Sequence, residues 1–195
     1  DTCPIESASD LRDAIERKIA LPITLPPVAE GMFVLEPERG PIHLRSIMAA
    51  YAIQQIAGLM HRIEGIEPSD LRIAEIGAGI GYTAYAARKR GVARYTLFDI
   101  PEVNVAQGYF LLKTLPDNDA VLCGEADDGR AAVRVLPASG FQSVPAGSFD
   151  VTINIDSMPE IAPATVAGYL AAIARQSGYF FSSNQEARVV QTEQQ

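Results

Sequence analysis

The residues best placed to do chemistry together are Glu75, Gly77, Gly79, Gly81 and Asp99. Glu75 and Ile76 end an apolar run that enters Gly77-Ala78-Gly79-Ile80-Gly81-Tyr82. A short helical pattern follows, and a second apolar run, Tyr95 to Phe98, ends in Asp99. A glycine-rich turn between a strand and a helix lets a ligand approach the backbone and meet free helix N–H groups. The spacing then separates ligands. A dinucleotide fingerprint is G-x-G-x-x-G; here the pattern is G-x-G-x-G, and Tyr82 stands where the other fingerprint needs glycine. Glu75 would also sit beside a pyrophosphate, and like charge in a partly buried site costs free energy. An acid there suits a cationic ligand carrying an amino group. Asp99, at the end of the second strand, is where an acid reaches ribose hydroxyls. The competing structural roles are a tight turn for the glycines and a cap at Asp99 for a helix starting at Pro101.

Those residues need a β-α-β frame, and the rest of the chain supplies the pattern for one. The 195 residues are 48% apolar and 21% charged, enough for one substantial core. The net charge of −8 argues against nucleic-acid phosphate as the main partner. No apolar run approaches the roughly 20 residues that span a bilayer, and no signal-peptide pattern opens the chain, so a cytoplasmic location is expected. Cys3 and Cys123 are too isolated for a disulfide framework or a metal cluster, and Cys123 is expected as a buried thiol.

From residue 71 strands and helices alternate. The patterns predict strands near 71–76, 94–99, 119–123, 149–155 and 178–183, with helices near 80–90, 102–114, 128–135 and 158–175; Leu136 to Ser148 reads as a loop. The fold class expected is α/β, a doubly wound, mainly parallel Rossmann-like sheet. Residues 1–69 form an expected N-terminal helical and extended segment, and 70–195 the binding domain. In the first segment Asp10 and Asp13 mark a short helix with Leu11, Ile15 and Ile19 on one face. Five prolines between residues 21 and 41 enforce an extended arm. A long helix then runs from Pro41 to about residue 64, with Leu44, Ile47, Met48, Tyr51, Ile56, Leu59 and Ile63 on its buried face.

Taken together, Glu75-Ile-Gly77-Ala-Gly79-Ile-Gly81 resembles motif I of the class I S-adenosylmethionine-dependent methyltransferases, and Asp99 matches their ribose-binding acid. The segments FDVTINIDSMPEI (149–161) and YFFSSNQE (179–186) are similar to their fourth and fifth strands with the loops that follow. The wording FDIPEV, FDVTINIDSMPEI and FFSSNQEA is similar, more narrowly, to the bacterial sugar O-methyltransferases. The resemblance covers about residues 70 to 186. It implies S-adenosyl-L-methionine as cofactor, with Glu75, Gly77, Ala78, Gly79, Gly81 and Tyr82 around its methionine moiety, Asp99 on its ribose, Ile100 and Ala126 beside its adenine, and Asn154 near the methionine end. The acceptor implied is a hydroxyl of a sugar or glycosylated small molecule.

A sugar hydroxyl is a weak acid, so a general base or a metal ion is expected. Ligands in doubly wound sheets lie beyond the C-terminal strand ends, which selects Asp156, Glu160, Asn184 and Glu186. Asp156 is the first choice for base. Ser157 and Glu160 also fit a capping box for the helix near 158–175. His43 and His61 read first as partly exposed or hydrogen-bonded histidines; His61 is an outside catalytic candidate if its helix folds over the cofactor. No spacing identifies a metal site, although Asp156 could meet Asp127 or Glu160 in the fold. Glu125, Asp127 and Asp128 form an acidic cluster that reads as a solvated turn. Tyr51 and the arm at Met32-Phe33 are expected in a lid or a homo-oligomer contact.

The chain begins at Asp1 rather than methionine and is expected to be part of a longer protein. Class I sheets usually end in an antiparallel hairpin after the fifth strand, which VVQTEQQ does not supply; further residues or a partner chain are expected at that edge. Two rival readings are a nicotinamide-dependent oxidoreductase, disfavoured by the glycine spacing and Glu75, and a non-catalytic cofactor-binding scaffold.

Overall fold

Strands buried on both faces read as continuous apolar runs, and such strands pair in parallel with helices packed above and below. A computed structural model of the chain, describing residues 7–24, Val28 and residues 43–185, has that architecture. The elements in order are α1 (Ala8–Ile19), α2 (Leu44–Glu64), β1 (Arg72–Ile76), α3 (Tyr82–Lys89), β2 (Arg94–Asp99), α4 (Pro101–Thr114), β3 (Ala120–Leu122), β4 (Val133–Pro137), β5 (Phe149–Ile155), α5 (Pro163–Gln176) and β6 (Ser177–Ser183). Among the described residues six strands form one sheet in the order β3-β4-β2-β1-β5-β6, and every neighbouring pair is parallel. The fold is therefore an α/β, doubly wound, Rossmann-like one.

The core divides by face. Ile73 on β1, Tyr95 and Leu97 on β2, and Val151 and Ile153 on β5 pack with residues of α1, α2, α3 and α4. Ala74, Ile76 and Phe98 point the other way, onto Phe141, Tyr169, Ala172 and Ile173 of the 138–143 turn and α5. Two bidentate ion pairs pin the end of the molecule opposite the glycine turn. Arg72 reaches Asp150 at 2.6 and 3.2 Å, tying the start of β1 to that of β5, and Arg88 reaches Asp119 at 2.8 and 3.0 Å. Such fork-on-fork geometry fixes orientation as well as charge.

Several sequence expectations are corrected. The stretch near 128–135 is not a helix: Val133–Pro137 is β4, inserted between β2 and β3. Val133 and Val135 are buried while Arg134 faces Asp127 at 2.6 Å, which is strand alternation. The expected helix near 158–175 is a 3-10 turn, Met158–Glu160, followed by α5 from Pro163; Ser157 makes no capping bond. The 136–148 loop contains a 3-10 helix, Ala138–Ser143. On α1 the N-cap is Ser7, whose hydroxyl accepts from the Asp10 N–H at 3.1 Å, so Asp10 answers the cap rather than forming it. Cys123 is exposed, because β3 is a three-residue edge strand that ends before it.

The long helix is present, yet it buries a different face. Ala49, Ala50, Ile53, Ala57 and Met60 join Ile47 and Ile56 inside, whereas Leu44, Met48, Tyr51, Leu59 and Ile63 are exposed. Small residues let α2 lie close on α3, and the large apolar side chains are turned outward. Its start is set by His43, whose Nδ1 accepts from the Arg45 N–H at 3.1 Å, and its end by Gly65 with φ of 68°. Pro41, most of the proline-rich arm, Met32, Phe33, Cys3 and Glu186 lie outside the described residues. Among the described residues no helix is long and apolar enough to cross a membrane.

Candidate functional site

All six strands point the same way, so their C-terminal ends share one rim, and at that rim β1, β2 and β5 diverge toward helices on opposite faces. A cavity of about 550 Å³ opens there, within the size range of small-molecule sites. Its wall runs from Glu75 through the glycine turn to Thr83, then Asp99, Ile100 and Val103, then Ile155, Asp156, Ser157 and Glu160, with Phe181 and Ser183 from β6. The N-terminal half of α2 closes one side with Arg45, Met48, Ala49, Tyr51 and Ala52.

The glycine turn has two distinct demands. At Gly77, φ is 71° and an added Cβ would lie 2.1 Å from Ser157 Oγ, so conformation and space both require glycine. At Gly79, φ is 55° and nothing lies within 4 Å of an added Cβ; the turn there is open to the cavity. Gly81 caps α3 with φ of 99°. The close contact under Gly77 comes from a latch. Asn154, fully buried on β5, donates to the Ile76 carbonyl at 2.9 Å and to Ser157 Oγ at 2.5 Å, and Ser157 Oγ donates to Ile76 O at 3.2 Å. Asn154 thus joins the ends of β1 and β5 from inside the sheet. It is not on the cavity wall, which corrects its expected place beside the ligand.

Asp99 is fixed from three sides. Its Oδ1 accepts from the Ile100 N–H at 2.9 Å, and its Oδ2 from the Gly79 N–H at 3.2 Å and from Gln107 Nε2 at 3.0 Å. Gln107 also donates to the Gly79 carbonyl at 2.8 Å. Burial raises the Asp99 carboxyl above its ordinary range, opposed by those hydrogen bonds. Gln107 went unnoticed in the sequence. The signal was a polar residue on the inward face of α4 shared with Phe110 and Leu111, all three buried.

Glu75 is 2% exposed and fully desolvated on the α2/α3 side of the sheet. Tyr95, on the neighbouring strand and the same face, donates its hydroxyl to Glu75 Oε2 at 2.7 Å, and the Thr83 side chain supplies a second hydrogen bond. Desolvation pushes the Glu75 carboxyl up to about 7, with the nearby Asp99 charge adding to the rise and the two hydrogen bonds opposing it. Among the described residues no lysine, arginine or histidine pairs with Glu75. Tyr82 is buried between the His43 ring, stacked at 5.4 Å, and Phe110, edge-on at 5.3 Å. Burial, with Arg45 nearby, lowers the His43 pKa, which suits a neutral imidazole accepting a cap bond.

Asp156 is on the wall directly after β5, with φ of 56° in the left-handed region. Its N–H donates to the Ser183 carbonyl at 3.0 Å, which ties the turn to the end of β6. Asparagine and aspartate tolerate that conformation better than other non-glycine residues. It turns the chain sharply at the cavity edge. Glu160 lies on the wall too, exposed at the end of the 3-10 turn.

Four further candidates are not on the cavity wall. His61 is exposed in the last turn of α2, its Nδ1 3.0 Å from Glu67 Oε1. The right helix lines the cavity, but at its other end: Tyr51 is about 15 Å away from His61 along the axis at 1.5 Å per residue. Ala126 is exposed in the β3–β4 connection, because β4 rather than β3 lies beside β2; Ile100 and Val103 are the apolar side chains near Asp99 on the wall. Asp127 pairs with Arg134 instead of approaching Asp156. Asn184 is half-buried beyond β6, donating to Ser182 Oγ at 2.8 Å, and is not on the wall.

No family model matches the chain, and no curated protein does. Solved structures similar to it include a protein of Nostoc punctiforme PCC 73102 provisionally described as an O-methyltransferase, at 20% identity over 68% of this chain and 35% of that one, TM-score 0.44. Another is the glycopeptide N-methyltransferase MtfA complexed with sinefungin, at 18% over 65% and 48%, TM-score 0.46. A third is an S-adenosylmethionine-dependent methyltransferase from Mesorhizobium loti, at 17% over 56% and 45%, TM-score 0.41. The chain spans between about a third and a half of the length of each. Superpositions this loose carry no weight for what this chain binds or does, which rests on its own side chains.

Proposed function

We propose that the chain is an S-adenosylmethionine-dependent O-methyltransferase that methylates a hydroxyl of a sugar or glycosylated small molecule. The observation that carries the reading is Glu75, a buried carboxylate on the cavity wall beside the open glycine turn, with no cationic partner among the described residues. A buried acid of this kind lacks a counter-charge. A ligand with an amino group supplies the counter-charge that ionised Glu75 needs, whereas a pyrophosphate in the same place supplies none and is repelled by whatever fraction is ionised. Asp99 and the Ile100–Val103 wall then suit a ribose and its base.

S-adenosylmethionine, when bound, supplies a sulfonium-borne methyl group for in-line displacement. Glu75 would receive the amino group, Gly77 to Gly81 allow the close approach, and Asp99 would accept from the ribose hydroxyls. Asp156 is the proposed general base: on the wall next to β5, it can take the acceptor's hydroxyl proton as the new C–O bond forms. Glu160 and Ser183 are the other polar groups available to orient an acceptor. Met48, Tyr51 and Phe181 offer flat apolar surface for its carbon faces. No step in this reading requires a metal.

Calorimetry with S-adenosylhomocysteine and with NAD tests the assignment. Binding of the first at micromolar concentration and not the second is expected. Binding of NAD alone would overturn it, and binding without transfer to any of a panel of sugars and glycosides would leave only a cofactor-binding module.

A further inference from the structure

Glu75 and Tyr95 are the two most deeply buried ionisable groups at the site, and the proposed chemistry uses only the first. Tyr95 is wholly buried, and its partner across the β1–β2 ladder is Ile73, so it lies diagonal to Glu75 on the same face. Diagonal neighbours on one sheet face are within reach of an aromatic side chain. A tyrosine hydroxyl has one proton, and here it is directed at Glu75 Oε2 at 2.7 Å. Thr83, in the first turn of α3, holds the carboxylate as well.

Resting on the cofactor reading above, we infer that Tyr95 is a positioning residue that holds Glu75 as a proton-exchanging receptor for the ligand's ammonium group. In the free protein Glu75, with its carboxyl near 7, is about half protonated at neutral pH and mostly protonated below it. When an ammonium group docks, the Glu75 O–H bond breaks, its proton passes to solvent, and the carboxylate so formed pairs with the cation. Nothing is oxidised or reduced, and the Glu75–ammonium pair adds no net charge to the site.

The groups facing Glu75 bear on this from each side. From β2 come Tyr95 and Asp99, from α3 Thr83, with Tyr82 further along the same wall, and at the adjoining register position on β5 stands Ile153. Asp99 disfavours a second negative charge, and Tyr95 and Thr83 favour it. Arg45 on α2 and Asp156 and Glu160 after β5 line the same cavity, and none of them hydrogen-bonds to Glu75. Desolvation dominates and holds the carboxyl near 7, so the Tyr95 hydroxyl is what keeps ionisation within reach of physiological pH. A bare carboxylate pocket would capture the cation equally at all pH values above 5. This one captures it with proton release.

The test compares S-adenosylhomocysteine with 5′-methylthioadenosine, which keeps the nucleoside and thioether but has no amino acid. For the intact chain, homocysteine-nucleoside affinity should fall about tenfold from pH 8 to pH 6, since each unit below the pKa costs about tenfold. Calorimetry in buffers of different ionisation heat should detect close to one proton released per site at pH 6 and close to none at pH 8.5. The methylthio compound should bind with no such dependence. Tyr95→Phe should move the midpoint upward and weaken S-adenosylhomocysteine binding at pH 7 severalfold, leaving the methylthio compound unaffected. Glu75→Gln should abolish the pH dependence. Carboxyl-carbon NMR of the free protein should show Glu75 titrating near 7. If both nucleosides bind with pH-indifferent affinity, or Tyr95→Phe leaves the midpoint in place, the inference fails while the cofactor reading stands. If neither nucleoside binds, both fall.

Discussion

The two ends of the cavity are built differently. At the β1–β2 end, each acid is buried or half-buried and held: Glu75 by Tyr95 and Thr83, Asp99 by Ile100, Gly79 and Gln107. At the β5–β6 end, Asp156 and Glu160 are progressively more exposed, their side chains make no hydrogen bond among the described residues, and the wall there includes Met48, Tyr51, Phe181 and Ser183. One end is pre-organised, so little ordering remains for a ligand to impose; the other is open and its acids are free to meet whatever arrives. This is what a fixed cofactor and a variable acceptor each require. The difference is open to attack from both sides.

The largest effect should come from the open end. Asp156→Asn removes the proposed base without changing side-chain size, and turnover should fall by about 10² or more, with S-adenosylhomocysteine affinity unchanged. Turnover at the original level would remove Asp156 from the mechanism. An equal loss of cofactor affinity would show that the two ends are not separable.

At the held end, the expected effect is on stability. Glu75 has its folded-state carboxyl raised to about 7 from an ordinary value of 4.5. A raised carboxyl pKa contributes stability that is complete below the unfolded value and is lost as pH rises through the folded one. In the ligand-free protein the loss therefore runs from pH 4.5 to about 7. The shift corresponds to about 3 kcal/mol, an order-of-magnitude figure for a fully buried group. Glu75→Gln mimics the protonated form and escapes that loss. Its melting temperature relative to the unaltered chain should rise as pH goes from 5 to 8, while ligand affinity at pH 8 falls. A melting difference independent of pH would mean that Glu75 ionises freely in the folded state.

The same contrast governs what could be read from sequence. The placement of Glu75, the glycines and Asp99 at one rim is legible because it is set by backbone geometry on a single β-α-β unit, in which spacing and position are nearly the same thing. Gln107 is eight positions past Asp99 on the next helix and was visible only as a polar residue on an apolar face. Asn154 was misplaced because strand alternation had to be resolved to one residue: it points into the sheet, and its neighbours after the strand point to the cavity. Ala126 failed through topology. Three-residue β3 and five-residue β4 were counted as a strand and a helix, and the strand beside β2 changed with them. On α2, the large apolar residues looked like the buried face, but the alanines permit the closer approach to α3, so Met48 and Tyr51 are left for the cavity.

The smallest effect would sharpen the comparison most, because it separates the ends without touching a charge. Ile100 and Phe181 are both apolar wall residues, one following Asp99 and the other on β6. Truncating each to alanine removes comparable contact area, and partial exposure keeps the loss to about 1 kcal/mol, roughly fivefold in affinity. Ile100 is 55% exposed, so shortening it should leave folding intact. If Ile100 flanks the base and Phe181 the acceptor, Ile100→Ala should weaken S-adenosylhomocysteine and 5′-methylthioadenosine alike and leave the acceptor KM in place. Phe181→Ala should raise the acceptor KM and leave both nucleosides bound as before. The reciprocal pattern matters more than either number, since a general loosening of the rim would lower both affinities together. Equal losses in both measurements for both variants would mean that the cavity is one undivided chamber, and that the difference between its held and free acids does not mark a boundary between two ligands.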